Sequence, residues 1–443
     1  MRKNLTLYFL LASIALSMLS CKETEKEFPK GFVKVNGNRF EIDGKPYYFV
    51  GTNLWYGINL GSAGKGGNRE RLLRELDRLQ ALGINNLRIV ALSEGPDDEP
   101  YRMVPSVQPK PGELNEELLQ GLDFLLSEMG KRNMYAVVCL NNFWPWSGGM
   151  GQYIVWNGGA DSIPYPPPHP GGSWDTYQKF TAKFYSNEKA VQQYWDAVKK
   201  VVTRTNTITN KPYTEDPVIM AWQLCNEPRG LDNPDDFNKW IDSSAALIKS
   251  WDKNHLVTTG SEGYTPWPDY TSTDFFKNHD GKNIDYTTVH IWVQNWEWFD
   301  PLKKDQTYDS SIAKMQAYLK RHVEDAAKIG KPLVLEEFGI ARDKGSFDPI
   351  ASVELRDNYY GKIFGEVYQY ASSGTPLCGV NFWAWAGEGR PREPEALWKA
   401  GDDFIGDPPH EFQGWYSVYD ADTTTHKVIK DYAQKMSRLG TAK

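Results

Sequence analysis

The chain has 443 residues, 40% of them hydrophobic and 24% charged, which is the composition of a soluble globular protein with a large core. A formal net charge of -7 and an isoelectric point near 5.7 leave no basic footprint for a polyanion, so nucleic acid is excluded as an expected partner. The unusual count is aromatic, with 17 Trp, 24 Tyr and 19 Phe, more rings than a core of this size needs.

In chain order, the first feature is an export signal: basic Arg2 and Lys3, an apolar stretch from Leu5 to Leu19, then Ser20-Cys21. Met18-Leu19-Ser20-Cys21 resembles a bacterial lipoprotein box, with Met18 where Leu is usual. The reading is a signal segment over 1–21, lipidation at Cys21, a charged tether over 22–31 and a single domain over 32–443. Its expected location is outside the cell, held to a bacterial membrane, the outer membrane or cell surface, by the lipid alone. Phe32 to Ile42 and Lys45 to Val50 read as a short β-hairpin turning at Asp43-Gly44.

Eight strand candidates follow: Tyr47 to Gly51, Asn86 to Val90, Tyr135 to Leu140, Val218 to Cys225, His255 to Thr259, Tyr286 to Ile291, Pro332 to Glu336 and Gly379 to Trp383. Helical spacing of apolar residues separates most of them, clearest over Arg69 to Leu82, Glu116 to Arg132, Lys189 to Thr203, Phe237 to Trp251, Ile312 to Ile329 and Leu355 to Tyr370. Between the fifth and sixth strands the only helical signal is the weak one at Phe275 to His279. Strands apolar on both faces and alternating with helices predict a parallel sheet, and eight of them predict closure into a (β/α)8 TIM barrel. No linker or internal repeat divides it. Long loops rich in Pro, Gly and aromatics, Leu92 to Pro111, Asn141 to Lys179 and Trp292 to Tyr308, are expected on the catalytic face, with Trp292, Trp296 and Trp298 as exposed stacking platforms. Cys139, Cys225 and Cys378 each lie in an apolar strand and read as buried thiols. Gly61 to Gly67 fits neither phosphate-loop nor dinucleotide spacing.

Two of these strands end in glutamate: Val218 to Cys225 runs into Asn226-Glu227-Pro228, and Leu333-Val334-Leu335 into Glu336-Glu337-Phe338-Gly339. Glutamate is rarely buried without a partner, and two carboxyls at the carboxyl ends of barrel strands are what glycosidic hydrolysis requires. Arg88, between apolar neighbours on the second strand, is expected to face inward and hold Glu337 ionised. Asn226 is expected to bond a sugar hydroxyl as charge develops in the ring. Side-chain alternation along the seventh strand separates Glu336 from Glu337 and makes Glu336 structural.

The motifs Asn226-Glu227-Pro228 and Glu337-Phe338-Gly339 resemble the acid/base and nucleophile motifs of glycoside hydrolase family five. Thr203 to Thr209, Tyr213, Asp216-Pro217 and Ile219 to Trp222 resemble its mannanase branch, as do Gly51-Thr52-Asn53 with Trp55-Tyr56, Asn141-Asn142 and Gly260-Ser261-Glu262-Gly263. The resemblance implies retaining cleavage of β-1,4-mannan, galactomannan or glucomannan, with Glu227 as acid/base and Glu337 as nucleophile. It also implies substrate contacts from Trp55, Asn142, Glu262, His290 and Trp383, with Trp385 competing for the last place. Trp292 stands where the family often has Tyr, which implies stacking there instead of a hydroxyl contact. No cofactor or metal is expected, and a monomer is the default. Two other readings stay open: a β-1,4-glucanase on the same scaffold, and a non-catalytic glycan-binding surface lipoprotein.

Overall fold

A computed structural model describes residues 31–441. The export signal, Cys21 and nearly all of the tether lie outside the described residues. Three short antiparallel strands come first: β1 (Val33–Asn36), β2 (Arg39–Ile42) and β3 (Lys45–Tyr47). The hairpin expected at Asp43-Gly44 joins β2 to β3, with both turn residues at positive φ (51° and 75°). The run Phe32 to Ile42 is not one strand, because Gly37 at φ 61° breaks it into β1 and β2 and makes the hairpin a three-stranded meander.

The barrel follows, with eight strands: β4 (Phe49–Asn53), β5 (Asn86–Val90), β6 (Tyr135–Cys139), β7 (Ile219–Gln223), β8 (Leu256–Thr258), β9 (Thr287–Ile291), β10 (Leu333–Phe338) and β11 (Leu377–Phe382). Every residue in them is buried, as a sheet with both faces covered requires. All ladders are parallel, in the order β8-β7-β6-β5-β4-β11-β10-β9. β8 has only three residues, so it meets β9 through single bonds in place of a ladder: Asp285 N to Val257 O (2.8 Å), Thr258 Oγ1 to Tyr286 O (2.9 Å) and His290 N to Glu262 O (3.1 Å). These close the ring.

Helices cover the outside, among them Arg69–Ala81, Glu116–Gly130, Glu188–Val202, Pro234–Trp251, Lys304–Ile329 and Glu354–Ser372. Asn68, Asn115 and Asn187 cap the first three by accepting from backbone N–H groups one turn in. The short helix Gly57–Gly61 crosses Glu116–Gly130 so closely that a Cβ on Gly61 would lie 2.3 Å from Gly121 O, and one on Gly121 2.3 Å from Ile58 O. The meander plugs the amino end of the barrel: Val33, Phe40 and Tyr47 pack with Phe49, Tyr135, Leu256, Val334 and Cys378, near the starts of their strands. The opposite end is left to the functional loops. The three cysteines of the described residues are buried and unbonded to one another.

Candidate active site

At the carboxyl end of the barrel, Glu227 lies just beyond β7 and Glu337 on β10. Glu227 adopts φ 51°, a left-handed conformation that costs a non-glycine residue about 1–3 kcal/mol and persists only where neighbours enforce it. They do: Glu227 N donates to Gly260 O (3.0 Å) and Asn226 N to Asn141 O (2.9 Å), tying the turn to the strands on both sides. Glu337 reaches the interior through a bulge. The β9 partners Val289 and His290 are adjacent, whereas their β10 partners Leu335 and Glu337 skip Glu336. Leu333 and Leu335 pack in the main outer core and Val334 in the cluster at the amino end of the barrel. The simple alternation expected along this strand is therefore broken. Both glutamates face inward, Glu336 one layer deeper, where it accepts from Gln223 Nε2 (2.5 Å) and Tyr286 OH (3.3 Å).

His290 stands between the carboxyls. Its Nδ1 is 2.6 Å from Glu227 Oε1 and 3.3 Å from Glu337 Oε2, and oxygens of the two glutamates and this nitrogen all lie within 4.8 Å of one another. Two facing carboxylates require Nδ1 to carry the proton. Burial would lower the imidazolium pKa, but the Glu337 and Glu227 charges raise it to about 10. Glu227 also accepts from Trp292 Nε1 (3.1 Å, on Oε1) and Trp144 Nε1 (2.6 Å, on Oε2). Burial pushes this carboxyl up, yet the His290 contact, the Arg229 charge and the Trp144 bond outweigh it and hold the pKa at about 2. Burial pushes Glu337 up to about 7, against the pull of His290 and Arg88 and with the help of the Glu227 charge. Arg88 does pull Glu337 toward the ionised form, as expected, but burial and the Glu227 charge outweigh it, so Glu227 is the stronger acid of the pair.

Arg88 is buried and fully engaged. It contacts Glu337 directly through Nη1, and donates to Asn53 Oδ1 (3.0 Å), Gln223 Oε1 (2.7 Å) and Asn226 Oδ1 (2.7 Å). Asn226 in turn donates to Asn142 Oδ1 (3.1 Å), leaving one amide hydrogen for a sugar. Asn142 also accepts from Trp144 N (3.1 Å), so it orients these two residues from behind. Trp383 is 4% exposed with an indole N–H that has no partner among the described residues, and its ring meets Trp292 edge-on at 5.9 Å. Trp385 is fully buried and donates to Glu75 Oε2 (3.0 Å), which removes it as the alternative floor.

Two expected contacts are displaced. Trp55 is 1% exposed and spends its N–H on Gly406 O (3.0 Å), lying behind Trp146, so it props the wall and does not meet a sugar. Both Glu262 oxygens are taken by Arg229, from Nε at 2.7 Å and Nη2 at 2.8 Å, so Glu262 fixes Arg229. Trp292, Trp296 and Trp298 are not exposed platforms either: Trp292 is buried against Trp383 and Tyr416, and the other two pack on Tyr318. Sequence reasoning missed Trp144, although it stands two residues past Asn142 in an aromatic loop. It also missed Glu411, on the long loop after β11. Burial and the charges of Asp407, Glu337 and Glu227 raise this carboxyl well above the usual range, and one buried oxygen has no partner among the described residues. The convergence of Glu227, His290 and Glu337 has the outline of a three-ligand metal cluster. However, indole donors hold both Glu227 oxygens, Arg88 holds Glu337 Oε1 and His290 Nδ1 carries a proton, a set that suits a shared proton better than a cation.

An eight-stranded α/β barrel with two buried carboxyls this close at the ends of β7 and β10 has the outline of a glycoside hydrolase. A family model described as glycoside hydrolase family 5 β-mannosidase-like matches residues 30–441, and the chain belongs to that family. Mannan endo-1,4-β-mannosidase 5 of Solanum lycopersicum is 33% identical over 378 residues, covering 81% of this chain and 82% of its own. Mannan endo-1,4-β-mannosidase 1 of Arabidopsis thaliana is 31% identical, with 80% and 81% covered. Among solved structures, a glycoside hydrolase family 5 mannosidase from Rhizomucor miehei superposes with a TM-score of 0.85 at 41% identity, over 93% of this chain and 99% of that one. The endo-1,4-β-mannanase of the same organism gives 0.66 at 21%, over 92% and 99%, a likeness of fold.

Proposed function

We propose that the protein hydrolyses β-1,4-mannosidic bonds with retention, Glu337 attacking the anomeric carbon and Glu227 serving as acid and then base. One observation carries this reading: oxygens of the two carboxyls lie within 4.8 Å of one another. So close an approach favours the roughly 5–5.5 Å carboxyl spacing of retaining enzymes over the roughly 6.5–9.5 Å spacing that inversion uses to admit a water. In the first step Glu337 forms a glycosyl ester while Glu227 protonates the departing oxygen. In the second, Glu227 takes a proton from water, which opens the ester. The trio Glu227, His290 and Glu337 must hold two protons to start. Below neutral pH these rest on His290 and Glu337, and the reactive form moves the carboxyl proton to Glu227, a shift that His290 Nδ1, touching both, is placed to mediate. Arg88 and the Asn226 amide stabilise the ionised nucleophile and the adjacent sugar hydroxyl.

For the substrate, the mannosidase and mannanase names of the relatives favour mannan, galactomannan or glucomannan, and a variant of the Rhizomucor miehei mannosidase was crystallised with mannosyl-fructose. The test is sugar release by residues 22–443 from galactomannan, glucomannan and a soluble cellulose, with Glu337→Ala as the blank. Release from the mannans and little from cellulose is expected. Release mainly from cellulose would replace the mannanase reading with the glucanase one, and binding without release would leave a glycan-binding protein. Export and lipidation at Cys21 belong to the same proposal. Mass spectrometry of the membrane-extracted protein should find an acylated Cys21 at its amino terminus, and an unmodified Met1 would refute it.

A further inference from the structure

Exposed aromatic rings are few here and they are not scattered. Among the described residues the exposed large aromatics are Trp174 (43%), Trp267 (48%), Tyr270 (39%) and Phe412 (38%), and the first three gather at one side of the carboxyl pair. The chain of contacts starts at Glu227, whose Oε2 accepts from Trp144. The Trp144 ring meets Trp174 edge-on at 5.7 Å. Asp175, next in sequence, accepts from Tyr270 OH at 2.8 Å, and Tyr270 belongs to the turn of helix Pro268–Thr271 that Trp267 opens. The same helix is fastened to the segment after Glu227, because Gly230 N and Leu231 N both donate to Thr271 O (2.9 and 3.0 Å).

This surface is held rigid. Thr265 Oγ1, Thr271 Oγ1 and Thr273 Oγ1 form a buried run of hydroxyl contacts at 3.0 and 2.8 Å, Thr273 donates to Tyr264 O (2.8 Å), and Tyr318 OH receives Thr265 N (3.0 Å). Such a network fixes two rings that face solvent and cover no core, which is the arrangement of a preorganised stacking surface.

We propose that Trp174, Tyr270 and Trp267 form a track for the mannose units on the leaving-group side of the scissile bond. The inference rests on the acid/base role given to Glu227: the carboxyl that protonates the departing oxygen faces the departing sugars, and the track continues from that carboxyl. The apolar C–H faces of successive β-1,4-linked pyranoses are the occupants, with Asp175 beside them for hydroxyls.

The test is the dependence of kcat/KM on chain length, from mannobiose to mannohexaose, for wild type, Trp267→Ala and Tyr270→Phe. Wild type should gain with each leaving-side sugar, and Trp267→Ala should lose the last of that gain, roughly five- to tenfold on the longest chain and carried mainly by KM. Tyr270→Phe keeps the ring and should retain most of it. An identical length dependence in wild type and Trp267→Ala would overturn the track. Calorimetric binding of mannohexaose and mannobiose to Glu337→Ala, with and without Trp267→Ala, separates this from the catalytic reading. If the chain turns over no mannan oligomer but Trp267→Ala still weakens hexaose binding, the track stands and the mannosidase reading falls. If the hexaose binds both forms equally, the track falls whatever the catalytic result.

Discussion

The proton inventory of the site can be read through one substitution, Trp144→Phe. Trp144 Nε1 is the donor on Glu227 Oε2, at 2.6 Å. A hydrogen bond to a charged acceptor is worth about 1.5–3 kcal/mol, equivalent to roughly 1–2 pKa units. Trp144 is half-buried, so water would restore part of the loss and the low end, about one unit, applies. The sign follows from which form the bond favours. The indole N–H stabilises ionised Glu227, so its removal raises the Glu227 pKa by about one unit from about 2, still far below the value of about 7 at Glu337. Glu227 stays ionised on both sides of that titration, and what changes is the share of the trio that carries its carboxyl proton on Glu227, up about tenfold. The wild-type kcat/KM profile on mannotriose should fall as pH rises through about 7, where Glu337 titrates. In Trp144→Phe that fall should stay in place, while the plateau below it rises by up to about tenfold because more of the trio carries its carboxyl proton on Glu227. The profile of kcat/KM reports the titrating groups of the free enzyme. A fall displaced by about a unit or more, in either direction, would refute the order of the two carboxyl pKa values and with it the sharing of the proton.

Glu337→Ala should lower kcat by at least about 10³-fold on every mannoside, the scale of removing one member of a concerted catalytic set, and near-normal turnover would remove the nucleophile assignment. Glu227→Gln should cost about 10²–10⁴-fold on oligosaccharides. On 4-nitrophenyl mannoside, whose leaving group needs no proton, the bond-breaking step should be far less affected, and equal losses on both would count against an acid role. Arg88→Met leaves Glu337 buried without its guanidinium, which should cost about 3–5 kcal/mol and lower Tm by roughly 4–6 °C for a chain of this length. An unchanged melting curve would show that the arginine is not compensating the buried carboxyls. Gly61→Ala drives a methyl into Gly121 O and should cost about 1–3 kcal/mol or more, visible in the same melt.

Periodicity was sufficient for the barrel because each strand is buried on both faces and so reads as an uninterrupted apolar run, while the capped helices between keep their own spacing. What it could not show was any departure from regular geometry. The break at Gly37 depends on one positive φ. Motif and alternation both select Glu337, but alternation does so by grouping it with Leu333 and Leu335, which pack in the outer core, and it is the bulge at Glu336 that brings Glu337 beside His290. The sequence makes the Trp292 indole a stacking surface, whereas its N–H points at Glu227, which depends on a side-chain direction that no local pattern encodes. Exposure was the least legible property. Trp296 and Trp298 sit in a long loop, as Trp174 and Trp267 do, and whether a loop ring finds a neighbour such as Tyr318 is a matter of tertiary contact.

The meander beneath the barrel has a bearing on where the enzyme can work. β1 runs across the floor on which the eight strands begin, with Lys34 Nζ held by Asn254 O (2.9 Å) just ahead of β8. Gly31, where the described chain starts, lies against Asp43 at the β2–β3 turn, on the side opposite the carboxyls. A support joined to the domain at Gly31 by engineering would therefore leave the mouth of the barrel free for a large polymer.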